Sequence, residues 1–318
     1  MLKSRYRVYS EYLRNKHGCK VYKLPVNLPV TCPNRDGELG VGGCIFCGES
    51  GAGFEALPEM IPVKEQLERN MEYIGKKYNA KKFIAYFQNF SNTYMPPERF
   101  SHYLDQACMP GIVEVYISTR PDCISDRHLA EASDFVGRTG IEATFELGLQ
   151  TVNYHTLSRL NRGHTLAEFI DSVLRVRNAG FGVCAHLILD LPWDNMADAV
   201  ENAKVLSALG VQQVKLHSLY IVKGTLLARL YNEKSIRLVS VEEYARRVIA
   251  FLEHLSPDIV VQRLIGRAPE EETITANWDT SWWKVKEYIE EQMEALDTWQ
   301  GKKFSYLGGK AVRKFCEE

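Results

Sequence analysis

The chain is 318 residues long, 45% hydrophobic, 25% charged and 11% aromatic, which excludes collagen-like, mucin-like and wholly disordered chains. With 39 basic and 40 acidic side chains the formal net charge is −1, so no global positive field advertises a polyanion partner. No run of about 18 apolar residues marks a membrane span, and the start, MLKSRYRVYSEYLRNKHG, has no apolar signal core, so a cytoplasmic protein without membrane attachment is expected.

Charge is uneven along the chain. Residues 1–24 carry seven basic side chains (Lys3, Arg5, Arg7, Arg14, Lys16, Lys20, Lys23) against one acid, Glu11. The segment reads either as a solvated terminal helix or as a local polyanion contact. From residue 20 onward, short β-rich runs alternate with helical patterns. A strand is expected over 20–28, then a long loop over 29–58. A helix follows over 62–80, with Leu67, Met71 and Ile74 at helical spacing. Strands are expected over 82–88, 112–118, 142–150, 182–189 and 212–219. Helices separate them over 97–109, 125–138, 153–160, 166–180 and 196–209. Helical pattern resumes near 225–231 and 241–254, and 259–261 extends the sheet. A helix over 281–296 lies in a Trp-rich tail (Trp278, Trp282, Trp283, Trp299), which reads as core closure or as base stacking.

Helices between successive strands force parallel pairing, because parallel strands need long crossovers. The expected fold is α/β: a partial (βα)6 TIM-type barrel over 20–265. A basic helical extension, 1–19, precedes it, and a helical extension over 266–318 closes the barrel.

The eight cysteines sit in a chain expected in the reducing cytosol, where structural disulfides are rare. Cys19, Cys108, Cys123, Cys184 and Cys316 are scattered, and Cys123 stands out as the extra thiol beside Arg120. The other three share the loop TCPNRDGELGVGGCIFCG, spaced C-x11-C-x2-C as Cys32, Cys44 and Cys47. Its glycines let the backbone fold tightly around a bulky inorganic cluster. Four thiolates would close a structural zinc or electron-transfer site, whereas three on a cubane leave one iron open. The alternative is a zinc site completed by His17, Cys19 or an acid. The loop falls at the C-terminal end of the first strand, where active sites of α/β barrels collect.

The CPNRDG-x3-GGCxFC wording resembles the radical S-adenosylmethionine (radical SAM) superfamily, in particular its YhcC/YtqA-like subfamily. The segments ELGLQT (146–151) and LNRGHT (160–165) are also similar to the Elongator catalytic subunit and to oxygen-independent coproporphyrinogen oxidase. The resemblance covers roughly residues 20–265. It implies a [4Fe–4S] cluster on Cys32, Cys44 and Cys47, with Phe46 beside it. SAM would chelate the fourth iron and be cleaved reductively to a 5′-deoxyadenosyl radical that abstracts hydrogen from a C–H bond. The electron would come from a reductant such as flavodoxin or ferredoxin. Gln150 is then expected at the SAM ribose or methionyl part and Arg162 at its carboxylate, which suits a planar guanidinium.

Other strand ends supply candidates. Gln88 and Asn89 stand where the superfamily usually binds the SAM amino group with Gly-Gly-Glu, a motif absent here. Glu146 shares a strand face with Gly148 and Gln150, and an inward carboxylate is costly unless paired. His186 occupies the place of a ribose-binding acid, and Asp190 reads as a cap for the helix near 196. Arg120 either pairs with a substrate carboxylate or phosphate or holds Asp122. Lys215 and His217 share a face as substrate candidates. The Elongator resemblance implies a tRNA wobble uridine as substrate, with Tyr6, Tyr9 and Tyr12 of the basic N-terminus stacking bases beside phosphates. A small molecule or tetrapyrrole is the alternative substrate. A zinc or iron–sulfur protein without SAM chemistry is the alternative class.

Overall fold

The structure, a computed structural model, describes residues 4–48, 51, 56–268 and 271–315; Lys3 and Cys316 lie outside the described residues. In chain order the elements are α1 (Tyr9–His17), β1 (Val21–Val26), α2 (Val63–Tyr78), β2 (Lys82–Phe87), α3 (Pro97–Gln106) and β3 (Ile112–Thr119). Then come α4 (Asp126–Thr139), β4 (Glu142–Gln150), α5 (Tyr154–Arg159), α6 (Leu166–Asn178), β5 (Gly182–Ile188), α7 (Met196–Leu209) and β6 (Gln213–His217). The rest are β7 (Ile221–Val222), α8 (Leu226–Asn232), α9 (Val241–His254), β8 (Val260–Arg263), β9 (Thr273–Thr275) and α10 (Trp282–Ala295).

Seven strands pair in parallel in the order β1-β2-β3-β4-β5-β6-β8, a curled half-barrel. The expected extension near 259–261 is a full seventh strand, and it ends on Arg263. Alternate residues of each strand set the layers. Leu24, Ala85, Val115, Phe145, Ala185 and Val214 face outward into one continuous core with the helices. The inward set is polar: Lys23, Tyr86, Ser118, Glu146, His186, Lys215 and His217 line a central chamber. The capping boxes opened by Ser125, Thr165 and Asn195 fix where α4, α6 and α7 begin. Asn195, not Asp190, is therefore the cap of the helix at 196.

The N-terminal segment works as a floor. The Val261 N–H donates to the Arg7 carbonyl at 2.9 Å, so residues 7–8 pair with the free edge of β8. From there α1 runs across the open end to β1, with Leu13 packed on Ile84 and Tyr116. His17 Nε2 stands 2.6 Å from Glu114 Oε1, and Lys16 pairs with Glu114 at 2.8 Å and Glu142 at 2.6 Å. This changes the reading of the basic terminus. Tyr6 is buried and donates to Glu290 at 2.9 Å, Tyr9 stacks on Tyr12 and meets Tyr116 edge-on, and Arg5 pairs with Asp297. These side chains already have partners inside the chain.

The tail closes the core with Trp278, half-buried against Tyr244, and with the apolar face of α10. Val285, Ile289 and Met293 of α10 are buried, while Trp282 and Trp283 are exposed. Among the described residues no helix is long and apolar enough to cross a membrane.

Candidate active site

The site is built by the loop after β1 and the turn after α5. Gly42 and Gly43 hold φ of 80° and 83°, left-handed backbone that a side chain would strain. The Cys47 N–H closes a turn onto the Cys44 carbonyl at 2.9 Å. Asn34 then stitches the two segments together. Its Nδ2 donates to the Asn161 carbonyl and faces Cys44 Sγ at 3.7 Å, and Asn161 Nδ2 donates to the Gly43 carbonyl at 3.0 Å. That clasp delivers Arg162. One of its nitrogens stands 3.4 Å from Cys44 Sγ, and another donates to the Gly148 carbonyl at 2.7 Å.

Cys32, Cys44 and Cys47 all line one cavity of about 370 Å³ at the C-terminal ends of the strands. The same cavity gathers Phe46, Gln88, Asn89, Arg120, Glu146, Gln150, Arg162, His186, Lys215 and His217. It adds residues that sequence reasoning missed: Lys23, Arg35, Tyr86, Ser118, Tyr220, Arg263 and Arg267. Burial and the neighbouring Cys44 push the Cys47 thiol up to about 11, while Arg35 and Arg162 pull it down. Cys123 is lifted to about 12 by burial and Asp122, so it stays a protonated thiol.

The donor set suits a cluster better than one zinc ion. Tetrahedral zinc with about 2.3 Å bonds to sulfur needs its thiolates close together. Among the described residues the one trio of His, Cys, Asp or Glu ligand atoms within 4.8 Å of one another is Glu146, Cys184 and His186, so the three loop sulfurs are spread more widely. His17 cannot complete a zinc site with them: it is bound to Glu114 at the opposite end of β1, and Cys19 precedes that strand. Among the described residues Asn89 Oδ1, Ser91 Oγ, Arg162 Nε and Arg263 Nε are buried without hydrogen-bond partners, and all four residues line the cavity. Unsatisfied donors and acceptors of that kind fit a polar, charged ligand. Asn89 and Phe90, at φ of 85° and 48°, hold two successive left-handed residues at the end of β2. Such strain gathers at ligand clamps.

Three of the candidate side chains have partners inside the chain. Arg120 holds its own loop: it binds Asp122 at 2.9 and 2.6 Å and the Arg162 carbonyl at 2.8 Å, so its fork is not free for a substrate. Glu146 has no lone pair left for a cofactor. Its Oε1 takes Lys23 at 2.5 Å and Gln262 at 3.1 Å. Its Oε2 takes Lys215 at 2.7 Å, His186 at 2.8 Å and Ser118 at 3.3 Å. Burial opposes that charge, but Lys215, Lys23 and His186 outweigh it and hold the carboxyl well below the usual carboxylate range. His186 is bound to Glu146 rather than standing free for a ribose. Burial and Lys215 bring it down to about 4, so it is neutral near pH 7.

Residues 27–206 match the model of the radical SAM superfamily, and residues 211–295 match its C-terminal domain model. The chain belongs to the radical SAM superfamily. Within it, the uncharacterized protein YtqA of Bacillus subtilis is 33% identical over 304 residues, covering 95% of this chain and 94% of that one. Elongator complex protein 3 of Danio rerio is 29% identical over 168 residues, 51% of this chain and 29% of that protein. Among solved structures, the archaeal Methanocaldococcus infernus Elp3 superposes with a TM-score of 0.68 at 15% identity, covering 88% of this chain and 64% of that one. That likeness is one of fold. The radical SAM assignment agrees with the trio of loop cysteines and with the half-barrel that surrounds them.

Proposed function

We propose that Cys32, Cys44 and Cys47 hold a [4Fe–4S] cluster, that SAM binds beside it, and that the substrate is a tRNA modified at a wobble uridine. The observation that carries the first part is the convergence of three cysteines, Arg162 and four unsatisfied polar groups on one chamber. When bound, the cluster and SAM supply a one-electron reductive cleavage that opens hydrogen abstraction from an unreactive C–H bond. The electron is drawn from a protein reductant such as flavodoxin or ferredoxin.

The chain's own share is placement. Arg162 presents a guanidinium to the SAM carboxylate, and the Gly148 carbonyl fixes that guanidinium. Gln150, at φ of 76°, is turned into the chamber at a register shift of β4 and meets the ribose or methionyl part. Asn89 offers its unpartnered Oδ1 to the SAM amino group. The barrel wall excludes water from the reacting atoms.

The tRNA reading is supported by the sequence similarity to Elongator complex protein 3, which extends over 168 residues. A second reading, a small anionic molecule, is favoured by the cationic lining of Lys23, Lys215 and Arg263. Anaerobic reconstitution with iron and sulfide, SAM and dithionite, followed by nucleoside mass analysis of added total tRNA, tests both. Formation of 5′-deoxyadenosine with a new tRNA nucleoside supports the proposal. Formation of 5′-deoxyadenosine with unchanged tRNA removes its second half. Absence of 5′-deoxyadenosine removes the first.

A further inference from the structure

Besides Arg35 and Arg267, five basic side chains line the chamber, and they fall into two groups. At the mouth, Arg162 faces Cys44 and Arg120 is matched by Asp122. Deeper in, Lys23 and Lys215 share one carboxylate, Glu146. Arg263 lies in the same layer, since its Cα is the register partner of Lys215. Among the described residues it has no carboxylate partner. One of its nitrogens stands 2.7 Å from Nδ1 and 2.9 Å from Nε2 of His217, and its Nε is buried without any partner. His217 adds no compensating charge, because burial and Arg263 hold it neutral. Among the described residues of this wall three basic side chains stand against one carboxylate, a surplus of up to two positive charges, and burial pulls Lys23 and Lys215 down, as it does ammonium groups short of a counter-ion.

Such a surplus is costly out of water unless a counter-ion completes it. A metal is not that partner. Glu146, Cys184 and His186 stand close enough to hold one, but two ammonium groups already occupy the carboxylate and would repel a cation. We infer that Lys215 and Arg263 form an anion subsite in the deep wall of the chamber, which receives a carboxylate or phosphoryl group of the substrate. Arg263 supplies a planar fork suited to two oxygens, and Lys215 supplies a point charge. Tyr86 keeps Lys215 aimed inward through a 2.9 Å bond to its Nζ. The inference rests on this cavity being the substrate chamber of the proposed enzyme.

The test uses the cluster-loaded protein with SAM under anaerobic conditions. Its melting temperature is followed while sodium chloride is replaced, at constant ionic strength, by malonate, inorganic phosphate or uridine 5′-monophosphate. A ligand that binds only the folded state raises the melting temperature saturably. At least one of these anions should do so, with the apparent affinity lowered about tenfold in Arg263→Gln. Lys76→Gln, a change at an exposed helix pair, should respond as wild type.

A response to malonate alone identifies a carboxylate, and a response to phosphate and uridine monophosphate identifies a phosphoryl group. If no anion exceeds chloride, or if Arg263→Gln responds fully, the subsite is refuted. Should Arg263→Gln fail to fold, Arg263→Lys decides. It keeps the charge and loses the fork, so a weakened response supports the subsite and an unchanged one refutes it. Production of 5′-deoxyadenosine by the same wild-type preparation separates the two ideas. Its presence without an anion response sinks the subsite alone, and the reverse result sinks the proposed reaction alone.

Discussion

Arg162 stands 3.4 Å from the sulfur of Cys44, so a fixed positive charge is held against one of the three thiols of the loop. The contact depends on Gly148. Its carbonyl anchors the guanidinium at 2.7 Å, and a Cβ at that position would fall 2.6 Å from Arg162 Nη2. Arg162→Gln is expected to weaken SAM affinity by about tenfold or more, the size of one lost charge-assisted hydrogen bond. Gly148→Ala should weaken it in the same direction by displacing the same group. Equilibrium SAM binding to the iron-loaded variants, with iron content measured alongside, checks both.

Glu146 is the single anion of the deep wall among the described residues and is fully buried. Glu146→Gln removes the charge that compensates Lys23 and Lys215. Breaking a buried ion pair from one side costs about 3–5 kcal/mol. Denaturant unfolding should show a loss of that order, with the slope of the transition unchanged.

Asp190 is buried, accepts the Leu219 N–H at 2.8 Å, and is lifted by burial from 3.8 to about 7. Its unfolded form therefore releases its proton first. The stability held by the protonated carboxyl is complete below about pH 4 and is lost as pH rises toward 7. Burial of His186 acts with the opposite sign in part of that window, so the difference between variant and wild type is the quantity to read. Asp190→Asn keeps an acceptor for Leu219 and never ionises. Relative to wild type it should gain stability, on the order of a few kcal/mol, between pH 4 and pH 7 and hold the gain above. Thermal melts across that range decide it.

Leu13 joins α1 to Ile84 and Tyr116 beneath the chamber. Leu13→Ala should cost about 2–5 kcal/mol through lost burial and the cavity left behind. Unfolding curves measure it. Removing residues 1–19 would take away this floor altogether, so loss of tRNA binding in such a truncation would report unfolding rather than an RNA contact. Substituting Arg14, which is exposed, tests RNA binding without opening the barrel.

The alternation of apolar strands and helices was legible from the sequence because each strand is buried on its outer face by helices. The cysteine loop was legible because its glycines and thiols sit together in the chain. The deep wall was not. Lys23 lies in a strand whose apolar neighbours hid it, and Arg263 ends a short strand, Val260–Arg263, with little pattern of its own. Glu146 read correctly as an inward carboxylate in need of a partner. Its partners come from β1, β5, β6 and β8, and no local spacing reveals pairs that only barrel closure creates. The packing of the N-terminal tyrosines was hidden for a similar reason: composition shows a basic aromatic segment, while the fold buries Tyr6 and half-buries Tyr9 and Tyr12.

The most direct measurement is anaerobic reconstitution of the wild-type protein with iron and sulfide, followed by metal analysis and assay of SAM cleavage with dithionite. The account predicts a brown protein with about four irons per chain that converts SAM to 5′-deoxyadenosine, and a Cys44→Ala variant that does neither. A colourless, zinc-loaded wild-type protein that leaves SAM intact would contradict it.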